Sequence, residues 1–313
     1  MRITQSMLLR TALNDVTQQR LRLSRIQEQA SSGLAINRVS DDPVGASAAI
    51  LLRAGIDATS QFEENVTQAR NRVGTIEAAL GQTMDLLIQA RESATQGANG
   101  TESPQTRAIL ALEIERIHEE MVAQANTRSG DAFVFGGFST ASPPFVASGP
   151  FDDALPAPTV SYAGDTNEAQ TPIDERVSAT TTLHGARIFL GDADGDGSVD
   201  PGSEDLFGVL ATLRDALRAN DQTAVAASLT GLSNAIDQLS LERTKVGMTD
   251  TKINDLQSRL AIRKTELQVR LSETQDADVA AVFSDLINQE AALNATLQST
   301  TRLMQSNLLD FLR

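Results

Sequence analysis

Apolar positions recur in alternating steps of four and three through Phe62, Val66, Ala69, Val73, Ile76, Leu80, Thr83, Leu87, Ala90, Ala94 and Gly97. The same stepping returns through Val225, Leu229, Leu232, Ile236 and Leu239, and resumes through Val246, Ile253, Leu260 and Leu267. A strict heptad keeps one narrow stripe on one helical face and drives a left-handed supercoil with a partner helix. These stripes predict a long helix in each half of the chain, the two covering each other. From Phe133 to about Gly202 the periodicity lapses and Gly and Pro cluster, as in Phe135-Gly136-Gly137-Phe138 and Pro143-Pro144-Phe145. The chain is expected to go out along a helix, build a small domain and return: a rod with a knob.

Helix punctuation places the remaining elements. A first helix over about residues 4–30 carries Leu9, Leu13, Val16, Leu23, Ile26 and Ala30 near one face. It should close at Ser31-Ser32-Gly33, where glycine can turn left-handed. After a loop, Asp41-Asp42-Pro43 reads as a cap with proline in the first turn. The long helix that follows runs to about Ala98. Ser103-Pro104 starts another, expected to continue to Ser129-Gly130. In the middle segment Thr159-Val160-Ser161-Tyr162 and Ala186-Arg187-Ile188-Phe189-Leu190 read as strands. Helix resumes near Asp205, breaks at Asn220-Asp221, continues to about Thr274, and a final helix spans 277–313.

The fold class is therefore mainly α with an inserted β-rich domain, an elongated helical bundle or coiled coil built from both chain halves. Residues 1–137 and 205–313 form a discontinuous helical rod, with segments 1–33 and 277–313 set aside for polymerisation. Residues 138–204 form the β-rich outer domain. The two terminal stripes extend past the long pair and need cover from another protomer. That makes Leu9, Leu13, Val16, Leu23, Leu293, Leu297, Met304, Leu308 and Phe311 the expected assembly interface. Arg243, Asp250, Gln257 and Lys264 recur at every seventh residue of the returning helix, and polar residues at seam positions set register and partner number.

Composition narrows the function classes. Aromatics are 4% of the 313 residues, Trp is absent, and Ala, Leu, Ile and Val suit narrow helix–helix seams. A net charge of −15 argues against binding nucleic acid or an anionic membrane. With no cysteine, disulfides and thiol chemistry are excluded. No apolar run is long enough to span a bilayer, and the opening MRITQSMLLR lacks a signal-peptide core, so export would need a route without a cleaved signal.

Residues 31–45, SSGLAINRVSDDPVG, resemble the SSG…IN…S-DDP-x-G signature of bacterial flagellar axial proteins. The likeness continues through Gln61, Asn65, Leu86-Leu87-Ile88-Gln89-Ala90-Arg91-Glu92, Ala98-Asn99-Gly100-Thr101, Ala125-Asn126-Thr127 and Phe133-Val134-Phe135-Gly136-Gly137. It returns in the C-terminal Ser306-Asn307-Leu308-Leu309-Asp310-Phe311-Leu312. Pro43, Phe135-Gly136-Gly137 and Met1-Arg2-Ile3-Thr4 are similar to the hook–filament junction family, hook-associated protein 3, rather than to flagellin. That resemblance implies a structural, non-enzymatic layer between the hook and the flagellin filament. Its partners would be copies of itself, the other hook-associated junction protein, flagellin and an export chaperone. It also implies localisation to the flagellum through type III export. The alternatives are flagellin itself, a cytosolic coiled-coil adaptor, and a secreted calcium-dependent enzyme or adhesin.

Catalytic constellations are hard to build from these residues. His118 and His184 are the two histidines, and His118, in Ile117-His118-Glu119-Glu120, reads as a surface residue beside acidic neighbours. The loop at 191–200, GDADGDGSVD, places Asp192, Asp194, Asp196 and Asp200 at most of the oxygen positions of a calcium loop. Its twelfth position is Ser203, with Glu204 one residue late. A metal-free Asp/Gly turn is favoured over a calcium site.

Overall fold

The computed structural model describes residues 5–151 and 157–311, with side chains described at Met7 and from residue 10 to 302 within those spans. The described residues form seven helices: α1 Gln5–Ser32, α2 Pro43–Gly97, α3 Pro104–Ala125, α4 Gly185–Phe189, α5 Leu206–Arg218, α6 Gln222–Gln275 and α7 Val279–Phe311. Three antiparallel two-stranded ribbons complete it: β1 Arg128–Ser129 with β2 Ala132–Phe133, β3 Phe145–Ala147 with β4 Val160–Tyr162, and β5 Gln170–Asp174 with β6 Val177–Thr180. Contacts divide the chain into two compact units, Met1–Thr59 with Ile262–Arg313, and Ser60–Ala261. This division differs from the composition change near residue 138.

Helix starts follow the capping residues. Asp42 Oδ1 accepts from Val44 N at 3.0 Å, and Ser103 Oγ from Thr106 N at 3.1 Å. Asp205 accepts from Phe207 N at 3.0 Å, and Asp221 from Thr223 N at 2.9 Å. Asp278 accepts from Ala280 N at 2.9 Å. Each carboxylate or hydroxyl satisfies a first-turn N–H that has no intrahelical partner. At the ends, Gly33 and Asn220 adopt positive φ, 72° and 55°.

In the Ser60–Ala261 unit, every stripe position of α2 from Val66 to Gly97 is buried. On α6, Val225, Leu232, Leu239, Val246, Ile253 and Leu260 are buried, and Leu229 and Ile236 half-buried. The helices run antiparallel, with Gly97 beside Val225 and Arg70 donating to Gln257 at 3.3 Å. Arg243 crosses the seam to Glu77, Nη2 to Oε1 at 2.6 Å. Arg243 and Gln257 of the polar stripe thus find partners on α2 of the same chain.

Two expectations fail here. α3 stops at Ala125 rather than near Gly130. Asn126 turns its side-chain amide onto the backbone of Phe145, donating to its O and accepting from its N, both at 2.9 Å, which diverts the chain into the β1–β2 ribbon. The run 186–190 is not a strand but supplies most of α4. Burial there falls on Gly185, Ala186, Ile188 and Phe189, a helical rather than alternating pattern.

Candidate assembly interface

The signature after α1 is a set of local locks. Gly33 reverses the chain, Ser32 Oγ accepts from Leu34 N at 3.1 Å, and Asn37 Nδ2 donates to Leu34 O at 3.0 Å. Asp41 Oδ2 accepts from Arg38 N at 2.9 Å, while the Arg38 guanidinium grips Glu28 of α1 at 3.0 Å. A Cβ at Gly45 would lie 2.4 Å from Asp42 Oδ2 and 2.5 Å from Ile36 Cδ1, so those side chains would have to shift to admit one. The loop also fastens the start of the return segment. Ala35 N donates to Gln275 O at 2.7 Å and Ala277 N to Gly33 O at 2.9 Å. Arg53 donates to Gln275 Oε1 at 2.6 Å.

This lock sets α1 against α7, which pack on each other within one chain. Half-buried positions step along α1 as Ala12, Val16, Gln19, Leu23, Ile26 and Ala30, and along α7 as Val282, Leu286, Gln289, Leu293, Leu297 and the buried Thr300. Gln289 Nε2 donates to Gln19 O at 3.3 Å across the pair. Of the expected interface residues, Val16, Leu23, Leu293 and Leu297 lie on these seams. Leu13 stands off its seam and is 53% exposed. The side chains of Leu9, Met304, Leu308 and Phe311 lie outside the described residues. A second apolar face remains open on α7 at Val279, Phe283 and Ile287, spaced by four, with Phe283 50% exposed. Their spacing by four is the sequence signal that marks this face.

The Phe135-Gly136-Gly137 motif ties the middle segment together. Phe135 is fully buried edge-on to Phe189, ring centroids 5.2 Å apart. Its carbonyl accepts from Gly185 N at 3.1 Å and from the Tyr162 hydroxyl at 3.0 Å. Burial pushes that phenol up to about 12. At Gly137, φ is 62° and a Cβ would meet Asp165 O at 2.2 Å, so only glycine fits.

His118 is a correction. It is buried at 1% exposure, on the face of α3 shared by Ile114, Ile117 and Met121, between the rings of Phe151 and Phe207 at 5.1 and 5.5 Å. Burial lowers its pKa to about 4, so it is neutral near pH 7. His184 is also buried, and desolvation followed by the nearby Arg187 charge lowers its pKa.

In the acidic loop, Asp192, Asp194 and Asp200 can each bring an oxygen within 4.8 Å of the others, while Asp196 is not part of that cluster. The carboxylates accept backbone bonds within the loop: Asp192 from Gly195 N and Gly197 N at 2.7 and 3.0 Å, Asp196 from Ser198 N at 2.7 Å. Asp200 accepts from Ala193 N at 2.6 Å. Glu204 points elsewhere, accepting from Asn234 Nδ2 at 2.9 Å.

Terminal helices joined through the 31–45 loop and two long antiparallel heptad helices make a flagellin-like helical fold. A model of the bacterial flagellin N-terminal helical region matches residues 3–137. The flagellar hook-associated protein 3 of Salmonella typhimurium is 26% identical over 98% of both chains. By contrast, the flagellar filament 41 kDa core protein of Borreliella burgdorferi is 37% identical but covers 32% of this chain and 30% of its own. The FlgL structure from Xanthomonas campestris, 19% identical, shares the fold with a TM-score of 0.59, covering 71% of this chain and 99% of its own. Along nearly its whole length the chain is similar to flagellar hook-associated protein 3. No described helix is long and apolar enough to cross a membrane.

Proposed function

We propose that this chain is a structural subunit of the bacterial flagellum that forms the junction layer between the hook and the flagellin filament. The observation that carries this reading is the end-to-end match to a hook-associated protein 3, 98% of each chain at 26% identity, where the flagellar filament 30.7 kDa core protein of Treponema maltophilum matches 90% of this chain at 22%. In the proposed assembly, α1 and α7 pair with the same helices of neighbouring copies and bury the faces that one chain leaves open. Residues 138–204 lie on the outward side of the layer. The other hook-associated junction protein and flagellin flank the layer, and a chaperone holds the chain before type III export.

A strain lacking the protein should release flagellin monomers into the medium and carry bare hooks. Normal filaments on that strain would overturn the reading. The flagellin alternative separates in the test tube: purified flagellin grows long filaments, and this chain should not.

A further inference from the structure

α6 carries a second heptad that no part of its own unit covers. Leu241 and Met248 lie seven residues apart and are 58% and 61% exposed, and the register continues with Asp255. Interleaved at the complementary spacing are Thr244, Thr251 and Ser258, all exposed. Their hydroxyls are already satisfied, donating to the carbonyls of Ser240, Gly247 and Asn254 at 2.9, 3.0 and 3.1 Å. They can therefore be buried against a partner without stranding a donor. Gly247 sits beside this face with open space over its Cα, although glycine in a helix interior is less stable than alanine. Lys245, Lys252 and Arg259, again seven apart, flank the seam with positive charge on a protein of net charge −15.

We propose that this seam docks a helix of a second copy of this chain, namely the outer face of its α3. Within the Ser60–Ala261 unit, α3 is the other helix with exposed large apolar side chains, Ile109 and Leu112. Glu119, seven residues past Leu112, continues that face and complements the basic flank. A contact between unlike faces repeats from copy to copy and generates a ring or a helical layer. The inference rests on the junction-layer reading and names the lateral contact within it.

The absence of cysteine makes the test direct. Full-length M248C and L112C proteins are mixed at high concentration and treated with a short bismaleimide. Mixed dimers should exceed either same-variant dimer by about tenfold, an advantage of about 1.4 kcal/mol. Lys252→Glu should remove that advantage, and Glu119→Lys in the other protein should restore it. Equal yields in all mixtures, or predominant M248C–M248C dimers, would overturn the inference. The same cross-link is then sought in flagella isolated from cells carrying the M248C/L112C double variant. If the protein is present there and yields no ladder, the seam fails and the junction role stands. If the protein is not in the flagellum at all, the junction reading fails.

Discussion

The two units bury their heptads to different depths. The continuous hydrophobic core, from Val66 to Leu260, lies wholly within Ser60–Ala261. In the other unit, Ala46 and Ala49 are the buried apolar residues among those described, and α1 and α7 meet along half-buried seams. Both units are written with similar helical spacing, so spacing alone does not distinguish a finished core from an unfinished one. What differs is how many layers cover the stripe. α2 and α6 are closed over by α3, α5 and the aromatic cluster of Phe135, Phe145, Phe189 and Phe207. α1 and α7 have each other. Isolated helices are marginal in water, and a stripe stabilises them only as far as it is covered.

The largest effect should separate the units directly. Leu80→Ala, at a fully buried position, should lower the unfolding free energy by about 2–5 kcal/mol. Leu297→Asp, on the half-buried α7 seam, should change it by about 1 kcal/mol or less and still block incorporation into flagella. Urea unfolding followed by circular dichroism reads the first quantity, and filament assembly in complemented cells reads the second. Hydrogen exchange on the monomer sharpens the contrast, with amides of α2 protected far longer than those of α1 and α7. Equal protection would mean that one chain already completes its terminal unit.

Much of this was legible from residue types, and the failures share a cause. Heptad stripes, Gly33, Asp42-Pro43, Ser103-Pro104 and Asn220-Asp221 are local signals, and the elements they mark stand where spacing puts them. α3 was overrun because its stop is set by Asn126 pairing with Phe145, a partner 19 residues away that no helix-end signal announces. The 186–190 run is too short to separate a strand from one turn of helix without its surroundings. His118 was misplaced because its charged neighbours were weighed above its periodicity, although Leu110, Ile114, Ile117 and Met121 mark its face as inward. In the acidic loop Asp192, Asp194 and Asp200 stand within reach of one another and Asp196 does not join them, a difference that folding and not spacing decides.

That buried histidine supplies the next effect, confined to the larger unit. With a folded pKa near 4 and an ordinary value of 6.5, His118 binds its proton more readily in the unfolded chain. Stability is therefore complete above pH 6.5 and falls as pH drops through the window toward 4, below which the loss levels off. At pH 5 the loss should be about 2 kcal/mol. His118→Phe should flatten this part of the profile in urea titrations at pH 7 and pH 5, provided the variant keeps the native far-ultraviolet spectrum. An unchanged slope would place the titration elsewhere.

A smaller effect should appear in the terminal unit. Gly45→Ala pushes a methyl against Asp42 and Ile36, and overpacking of this kind costs about 1–3 kcal/mol where nothing can yield. The loop is half-exposed and Asp42 can turn aside, so about 1 kcal/mol is expected, at the cost of the Asp42 cap. The signature is local: faster amide exchange at the start of α2, with the α2–α6 core in the larger unit unaffected. Faster exchange throughout that core would show the two units unfolding as one.

The smallest expected effect is no shift at all, from calcium. The ion needs six to eight oxygens, and the clustered Asp192, Asp194 and Asp200 offer too few without a bidentate carboxylate at the loop's end. Glu204, the nearest candidate, is turned toward Asn234 on α6. The loop's own backbone N–H groups already occupy oxygens of Asp192 and Asp200, and glycines at 191, 195, 197 and 202 with positive φ shape it. Millimolar calcium should therefore leave the thermal midpoint of the full-length protein unchanged. Ligand linkage makes the measurement decisive, because a site occupied at ten times its dissociation constant would add about 1.4 kcal/mol to the native state. A saturable rise in midpoint, lost in Asp194→Ala and Asp200→Ala, would show that the loop rearranges to bind the ion.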